Sequence, residues 1–239
     1  MTRSTVIAAC AALTAATASI ASADLIAGWT ITTAFPTGAG NVPVGTTYSV
    51  GAADTGLLTV GTELKSVHAS AAATYTSPAG NGSQFSFSSN GWAIGDYYEA
   101  RVNTTGYGSL GISFDAARSS TGPVTFTLIM STDGGTSWST LISSYTVLQS
   151  GGGGSPGTWA VATPRQTNYT ITSPVGTSAD NQSLVIFRMQ ALVAPTGSNP
   201  AGGTSRLDNV EITGTLVPAP SAAGLLGLVA LGAARRRRA

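Results

Sequence analysis

Val124, Phe126, Leu128 and Met130 alternate with Thr125 and Thr127, so that every second side chain in this stretch is apolar. A period of two marks a strand with one face turned to a core, because successive side chains of extended backbone point to opposite sides. Leu110, Ile112 and Phe114 repeat the pattern within Ser109 to Asp115. Val185, Phe187, Met189 and Ala191 repeat it within Leu184 to Val193, where Arg188 and Gln190 point the other way. Further strands are predicted over Leu25 to Thr33, Gln84 to Ser88, Tyr97 to Asn103, Ser139 to Leu148, Tyr169 to Thr172 and Arg206 to Thr213. Clusters of Gly, Pro, Asn and Asp separate them at Pro78 to Gly82, Gly122-Pro123, Gly151 to Gly157 and Pro195 to Gly203. Many short strands, frequent turns and no helical stretch between the ends predict an all-β fold, an antiparallel β-sandwich of the jelly-roll kind, over residues 24–216.

The two ends break the pattern. Arg3 precedes an Ala-rich apolar run from Val6 to Ile20, and Ala21-Ser22-Ala23 supplies the small-x-small signature cut by signal peptidase, so residues 1–23 read as a Sec signal and the mature chain as starting at Asp24. Ile7-Ala8-Ala9-Cys10 spells a competing lipoprotein signal, but too few residues separate Arg3 from Cys10 for an apolar region of the usual ~7–15. A mature chain cut before Asp24 holds no cysteine, which removes disulfides and thiolate chemistry.

At the other end, Val217-Pro218-Ala219-Pro220-Ser221 leads into an apolar run from Ala222 to Ala234, closed by Arg235, Arg236, Arg237 and Arg238. Pro218 and Pro220 keep the first part extended and accessible. The run of 13 residues spans about 20 Å as a helix, against a hydrocarbon core of about 30 Å, which is short for a permanent anchor. The arginines stay cytoplasmic by the positive-inside rule, leaving the preceding domain outside, in agreement with the signal. Residues 217–239 resemble the PEP-CTERM sorting signal, with Ala219 at the position where that family usually has Glu. The resemblance implies cleavage near Pro218 to Ser221 by an exosortase after transient insertion of a short transmembrane helix in the inner membrane. It also implies delivery to the cell surface, outer envelope or extracellular matrix. Such a tail carries an address and leaves the activity to the domain.

Composition and charge narrow that activity. Charged residues are 9 % of the chain. Between Asp24 and Leu216 six basic residues face ten acidic ones, a formal −4, and a mildly acidic domain without a basic stripe does not suit nucleic acid. Gly153-Gly154-Ser155-Pro156-Gly157 spells G-x-S-x-G, but Pro156 has no N–H for an oxyanion hole, and the single histidine, His68, precedes the Ser instead of following it. One His without Cys does not make a zinc site, and His68 is expected on the surface or in a loop. Of the close carboxylate pairs, Asp96 with Glu99 and Asp208 with Glu211 are each three apart, so a regular strand sends their members to opposite faces. Turn capping and solvent exposure are the expected roles. No cofactor is expected, save a structural calcium ion at Asp208 and Asp24 if the first and last strands lie together.

Ser131-Thr132-Asp133-Gly134-Gly135-Thr136-Ser137-Trp138 resembles an Asp-box, with Ser137 at the usual Thr position, which implies a structural hairpin turn in which Asp133 accepts backbone amides and Trp138 packs under the loop. Arg206 to Gly214 resembles the last strand of carbohydrate-binding-module-like jelly rolls. Tyr97 and Tyr98 are adjacent, so one ring faces the core and the other outward, where it could stack on a sugar. Trp92 is a further candidate for stacking, with Tyr107 and Trp159 near loops. These readings predict a non-catalytic structural or adhesive domain, with signal peptidase, an exosortase and extracellular polysaccharide as partners. A carbohydrate-binding module is the first alternative, expected to show an outward aromatic row, and a glycan-active hydrolase the second, expected to show two carboxyls ~5–9.5 Å apart in a groove.

The intact mass of the protein recovered from its host should correspond to a chain beginning at Asp24 and ending between Pro218 and Ser221. A membrane-bound form that keeps the four arginines would show the tail to be a simple anchor.

Overall fold

The computed structural model describes residues 22–34, 43–151, 157–197 and 200–217. The segment read as a signal through Ala21, Cys10, the segment from Pro218 onward where a sorting tail and transmembrane helix are expected, and Gly153 to Pro156 lie outside the described residues. Among the described residues no helix is long and apolar enough to cross a membrane.

Two sheets face each other. One contains β1 (Asp24–Trp29), β4 (Tyr75–Thr76), β5 (Phe87–Ser89), β7 (Tyr107–Arg118), β10 (Leu148–Gln149), β11 (Thr170–Pro174) and β13 (Ser205–Leu216). The other runs in the order β2 (Thr47–Gly51), β3 (Glu63–Val67), β6 (Tyr97–Val102), β12 (Val185–Ala191), β8 (Thr125–Ser131) and β9 (Ser139–Thr146). Neighbours are antiparallel except for β10 beside β7. The chain is an all-β antiparallel sandwich, as the alternation predicts.

The alternation also assigns the faces. Val185, Phe187, Met189 and Ala191 turn inward with Phe126, Leu128 and Met130, and meet Leu110, Ile112 and Phe114 of the facing sheet in one buried cluster. Burial of such side chains supplies about 1.5–3 kcal/mol each, which makes this cluster the main source of stability. Strand β13 is the organising element of the seven-stranded sheet. Strand β7 pairs along one of its sides, while β5 pairs with Ser205 to Leu207 and β1 with residues from Val210 to Gly214. A bulge between Asp208 and Glu211 lies where the partner changes from β5 to β1, and Asn209 adopts φ 47° there. Asn is among the few non-Gly residues that tolerate this conformation.

Three strands escape the sequence pattern. In β3 the inward residues are Leu64 and Ser66, and in β2 the pairing with β3 shifts between Ser49 and Gly51, so neither stretch shows a clean apolar period. Strand β4 is two residues long. The single strand expected from Ser139 to Leu148 is two: β9 pairs with β8, the buried Val147 donates its amide to Val124 O at 2.7 Å, and β10 then joins the opposite sheet.

Phe187 lies at the centre of β12, opposite Ala100 of β6 and Met130 of β8, and is fully buried. Replacing it with Ala should cost about 3–5 kcal/mol of unfolding free energy in a denaturant titration. A loss below about 1 kcal/mol would mean that the two sheets do not close on this side chain.

Candidate functional site

The outer face of the six-stranded sheet carries charge where a strand pattern would place neutral polar groups. Glu99 of β6 stands opposite Lys65 of β3 and Arg188 of β12, which puts an acid between two cations on one row. Its carboxylate accepts Arg188 Nε at 2.6 Å and Arg101 Nε at 2.7 Å, with Lys65 Nζ at 3.2 Å. No part of the Glu99 side chain reaches solvent. Burial pushes its carboxyl up, and the hydrogen bonds and charges of Arg101, Arg188 and Lys65 more than reverse this, leaving it below the usual value. Glu63 joins the array at 3.1 Å from Lys65 and 3.8 Å from Arg101.

Arg188 also packs against two aromatic rings. Its guanidinium carbon sits 3.9 Å from the centroid of the Tyr97 ring and 4.2 Å from that of Trp138. Contacts of this kind contribute about 0.5–1 kcal/mol each where exposed. Tyr97 is the outward member of the tyrosine pair and Tyr98 the inward one, as their adjacency requires. Trp138 arrives from the hairpin between β8 and β9. There Asp133 accepts the amides of Thr136 and Ser137 at 3.0 and 2.9 Å and the Ser137 hydroxyl at 2.6 Å. Ser131 donates to Asp133 at 2.7 Å and accepts the Gly135 amide at 2.9 Å, while Trp138 Nε1 donates to Gly135 O at 3.1 Å. Gly134 and Gly135 supply the positive φ values of 75° and 94° that the turn needs. The Ser137 hydroxyl first, then the Ser137 amide and the Ser131 hydroxyl, hold the Asp133 carboxyl well below the usual carboxylate range. Asp133 thus accepts backbone amides within the turn, and the turn also delivers Trp138 to the sheet face.

The remaining aromatic candidates are not available for stacking. Tyr98 and Trp92 are 1 % and 5 % exposed, because both fill the space between the sheets. Trp92 donates Nε1 to Ser89 O, and Tyr98 donates its hydroxyl to Ser205 O at 2.7 Å. Trp159 packs on Tyr169 in a second small core, and Tyr107 is buried as well.

His68 is buried, contrary to the surface position expected. It lies between Trp92 and Tyr75, with ring centroids 4.5 and 5.6 Å away. Asp96 accepts the amides of Ala69 and Ala93 at 2.8 and 2.7 Å and the imidazole Nδ1 at 3.2 Å. That arrangement places the ring proton on Nδ1, so Nε2 accepts the Ser66 hydroxyl at 2.8 Å. Burial pushes His68 below its ordinary value, with Asp96 partly offsetting it. The Ser66–His68–Asp96 connectivity is that of a hydrolytic triad. Ser66 has no exposed surface and its oxygen faces Ser89, so the array serves as an internal brace. Ser66 and His68 two apart, on one side of the extended chain, were the signal for it in the sequence.

The acids of the last strand also depart from expectation. The bulge at Asn209 turns Asp208 and Glu211 to the same side. Arg165 makes a two-point contact with Asp115 at 2.8 and 3.1 Å and reaches Glu211 at 3.3 Å. Asp208 and Asp115 are fully buried opposite each other on β13 and β7. Asp208 accepts the Asn81 amide at 2.7 Å, the Ser83 hydroxyl at 2.6 Å and the Asn209 amide at 2.8 Å. Asn209 Nδ2 and Asn81 Nδ2 donate to Asp115 at 2.8 and 3.0 Å. A Cβ at Gly80 would run into Asp208 and Ser83, so only Gly lets this loop close over the carboxylate. Burial raises the Asp208 carboxyl to about 7, against the pull of the Ser83, Asn81 and Asn209 donors.

Strands β1 and β13 do pair, but Asp24 stands opposite Gly214, six residues beyond Asp208, or about 20 Å along the strand. The donors around Asp208 point hydrogens at its oxygens, which does not fit a calcium ion there. Asp96 and Glu99 are buried too, the first as a turn cap and the second in the cation cluster, so neither has the solvent exposure expected of it.

No family of known proteins and no curated protein sequence matches the chain. Solved structures similar to it include the K1 cleaved adhesin domain of Lys-gingipain from Porphyromonas gingivalis W83. That domain is 16 % identical, with 72 % of this chain and 92 % of that one covered and a TM-score of 0.36. The family 11 carbohydrate-binding module from Clostridium thermocellum, in complex with a β-1,3-1,4-mixed-linked tetrasaccharide, is 15 % identical, with 81 % and 99 % covered and a TM-score of 0.33.

Below the free-histidine value of 6.5 the unfolded chain binds a proton that buried His68 resists, so this group makes stability fall as pH drops through that value. The raised Asp208 acts oppositely, favouring the fold as pH falls from about 7 towards 3.8. Comparison of His68→Gln with the unsubstituted protein isolates the first effect. The variant should be less stable by about 1–3 kcal/mol near neutral pH, and the gap should narrow as the medium is acidified below pH 6.5. A gap that stays constant in thermal melts would show that folding does not hinder protonation of His68.

Proposed function

We propose that this protein is exported to the cell surface or extracellular matrix and acts there as a non-catalytic adhesive domain that holds polysaccharide on the outer face of its six-stranded sheet. The observation that carries the reading is the arrangement of Tyr97, Arg188 and Trp138, in which two partly exposed rings, one from β6 and one from the hairpin between β8 and β9, pack against one cation. Sugar rings stack on aromatic faces and hydrogen-bond through their hydroxyls, and the same face offers Gln190 beside Tyr97 and Lys65 beside Glu99 for the second task. The signal and the exosortase-type tail account for delivery. Strands β1 and β13 bring both terminal segments out at one end of the seven-stranded sheet, away from the proposed binding face.

The hydrolase alternative needs two carboxyls that meet a scissile bond from opposite sides. On this face the acids are Glu63 and Glu99, and Glu99 is enclosed by three cations. Asp115 and Asp208, the other close pair, are covered by the loop at Gly80 to Ser83 and by Arg165. The observations favour binding over hydrolysis.

Affinity electrophoresis of the full chain through gels containing soluble polysaccharides tests this reading. Migration should be retarded by at least one polymer, and Trp138→Ala or Tyr97→Ala should weaken the retardation by roughly 30-fold in affinity, the loss expected for a central aromatic anchor. Retardation that survives both substitutions would move the binding site elsewhere on the molecule.

A further inference from the structure

The chemistry of the same face points to the class of polysaccharide. This inference rests on the reading of the face as a binding surface. Arg188 uses Nε on Glu99, and among the described residues its two terminal amino groups have no hydrogen-bond partner. The guanidinium packs against Tyr97 and Trp138, and the side chain is 22 % exposed. A guanidinium held by two aromatic rings and bonded through Nε loses little side-chain freedom when a ligand takes its terminal amino groups. The surrounding charge is positive: Lys65, Arg101 and Arg188 face Glu63 and Glu99. The domain as a whole is acidic, with ten acids against six bases between Asp24 and Leu216. A polyanion is therefore repelled by the molecule at large and attracted where these three cations cluster, which makes the attraction local.

We infer that the outer face selects acidic polysaccharide, with a uronate carboxylate of the polymer held by the terminal N–H groups of Arg188 and the adjoining sugar ring against Trp138 or Tyr97. The planar carboxylate matches the two-point donor fork of guanidinium, whereas a neutral sugar would leave those charged donors to single hydroxyls.

The test compares polymers of one backbone whose carboxyls are free or methyl-esterified, using the unsubstituted full chain. Binding to polygalacturonate should be at least 10-fold tighter than to its fully methyl-esterified form, and added salt should reduce the difference. Arg188→Lys keeps a cation beside Glu99 but loses the fork. It should weaken binding to polygalacturonate about 10-fold more than binding to the esterified polymer, so that the preference for the acidic form is lost. Equal binding of both polymers overturns the acidic selectivity and leaves the polysaccharide-binding reading in place. Binding of dextran sulfate without polygalacturonate overturns the carboxylate assignment. Failure to bind these polymers or any neutral one overturns the inference together with the reading on which it rests.

Discussion

A carboxylate removed from water must receive its hydrogen bonds and countercharge from the protein, because an uncompensated buried charge costs several kcal/mol. Asp96, Glu99, Asp115 and Asp208 are each less than 5 % exposed, in a chain whose charged residues are only 9 % of the total. Much of the polar architecture follows from meeting that demand four times. Asp96 is met by two amides and an imidazole, Asp115 by Arg165 and two asparagines, Asp208 by the loop that closes at Gly80, and Glu99 by three cations. Each solution ties together segments distant in sequence, so the acids specify which loops and strands meet in a fold whose apolar contacts are non-directional.

Glu99 differs from the other three in where its partners stand. Asp96 and its histidine lie between the sheets, and Asp115 and Asp208 lie beneath covering loops, so their donors are used up internally. The partners of Glu99 sit on an outer sheet face, and Arg188 satisfies the acid with one nitrogen while its other two remain free among the described residues. A structural requirement thereby fixes a charged group in a defined orientation at the surface. Tyr97 and Trp138 complete the restraint, and they are the side chains best suited to hold a sugar ring. The property that stabilises the sheet also pre-organises the proposed site.

The Asp-box hairpin connects local turn chemistry to that site. Its glycines and the Asp133 carboxylate determine the turn whatever the rest of the chain does, because every partner lies within a few residues. The direction in which Trp138 leaves the turn is local too, but its contact with Arg188 is not, since β12 lies fifty residues further along the chain. One motif is thus both a self-contained turn and one side of a clamp.

Residue alternation determined the all-β class, the inward rows of β7, β8 and β12 and the opposite orientations of Tyr97 and Tyr98, since each rests on the geometry of neighbouring residues, while the turn around Asp133 is implied by a motif resemblance. Tertiary structure decided the rest. The Asn209 bulge puts Asp208 and Glu211 on one side, against the rule for regular strands, and it arises where β13 exchanges one partner for another. Register sends Asp24 to Gly214 and away from Asp208. His68 is drawn inside by Asp96, a partner 28 residues away, and Trp92 is drawn inside by the aromatic cluster around it. The clamp on Arg188 likewise depends on strand order, which places β12 between β6 and β8. Such pairings join residues far apart along the chain, and their choice is made by the burial and charge compensation of the folded whole, which no local pattern contains.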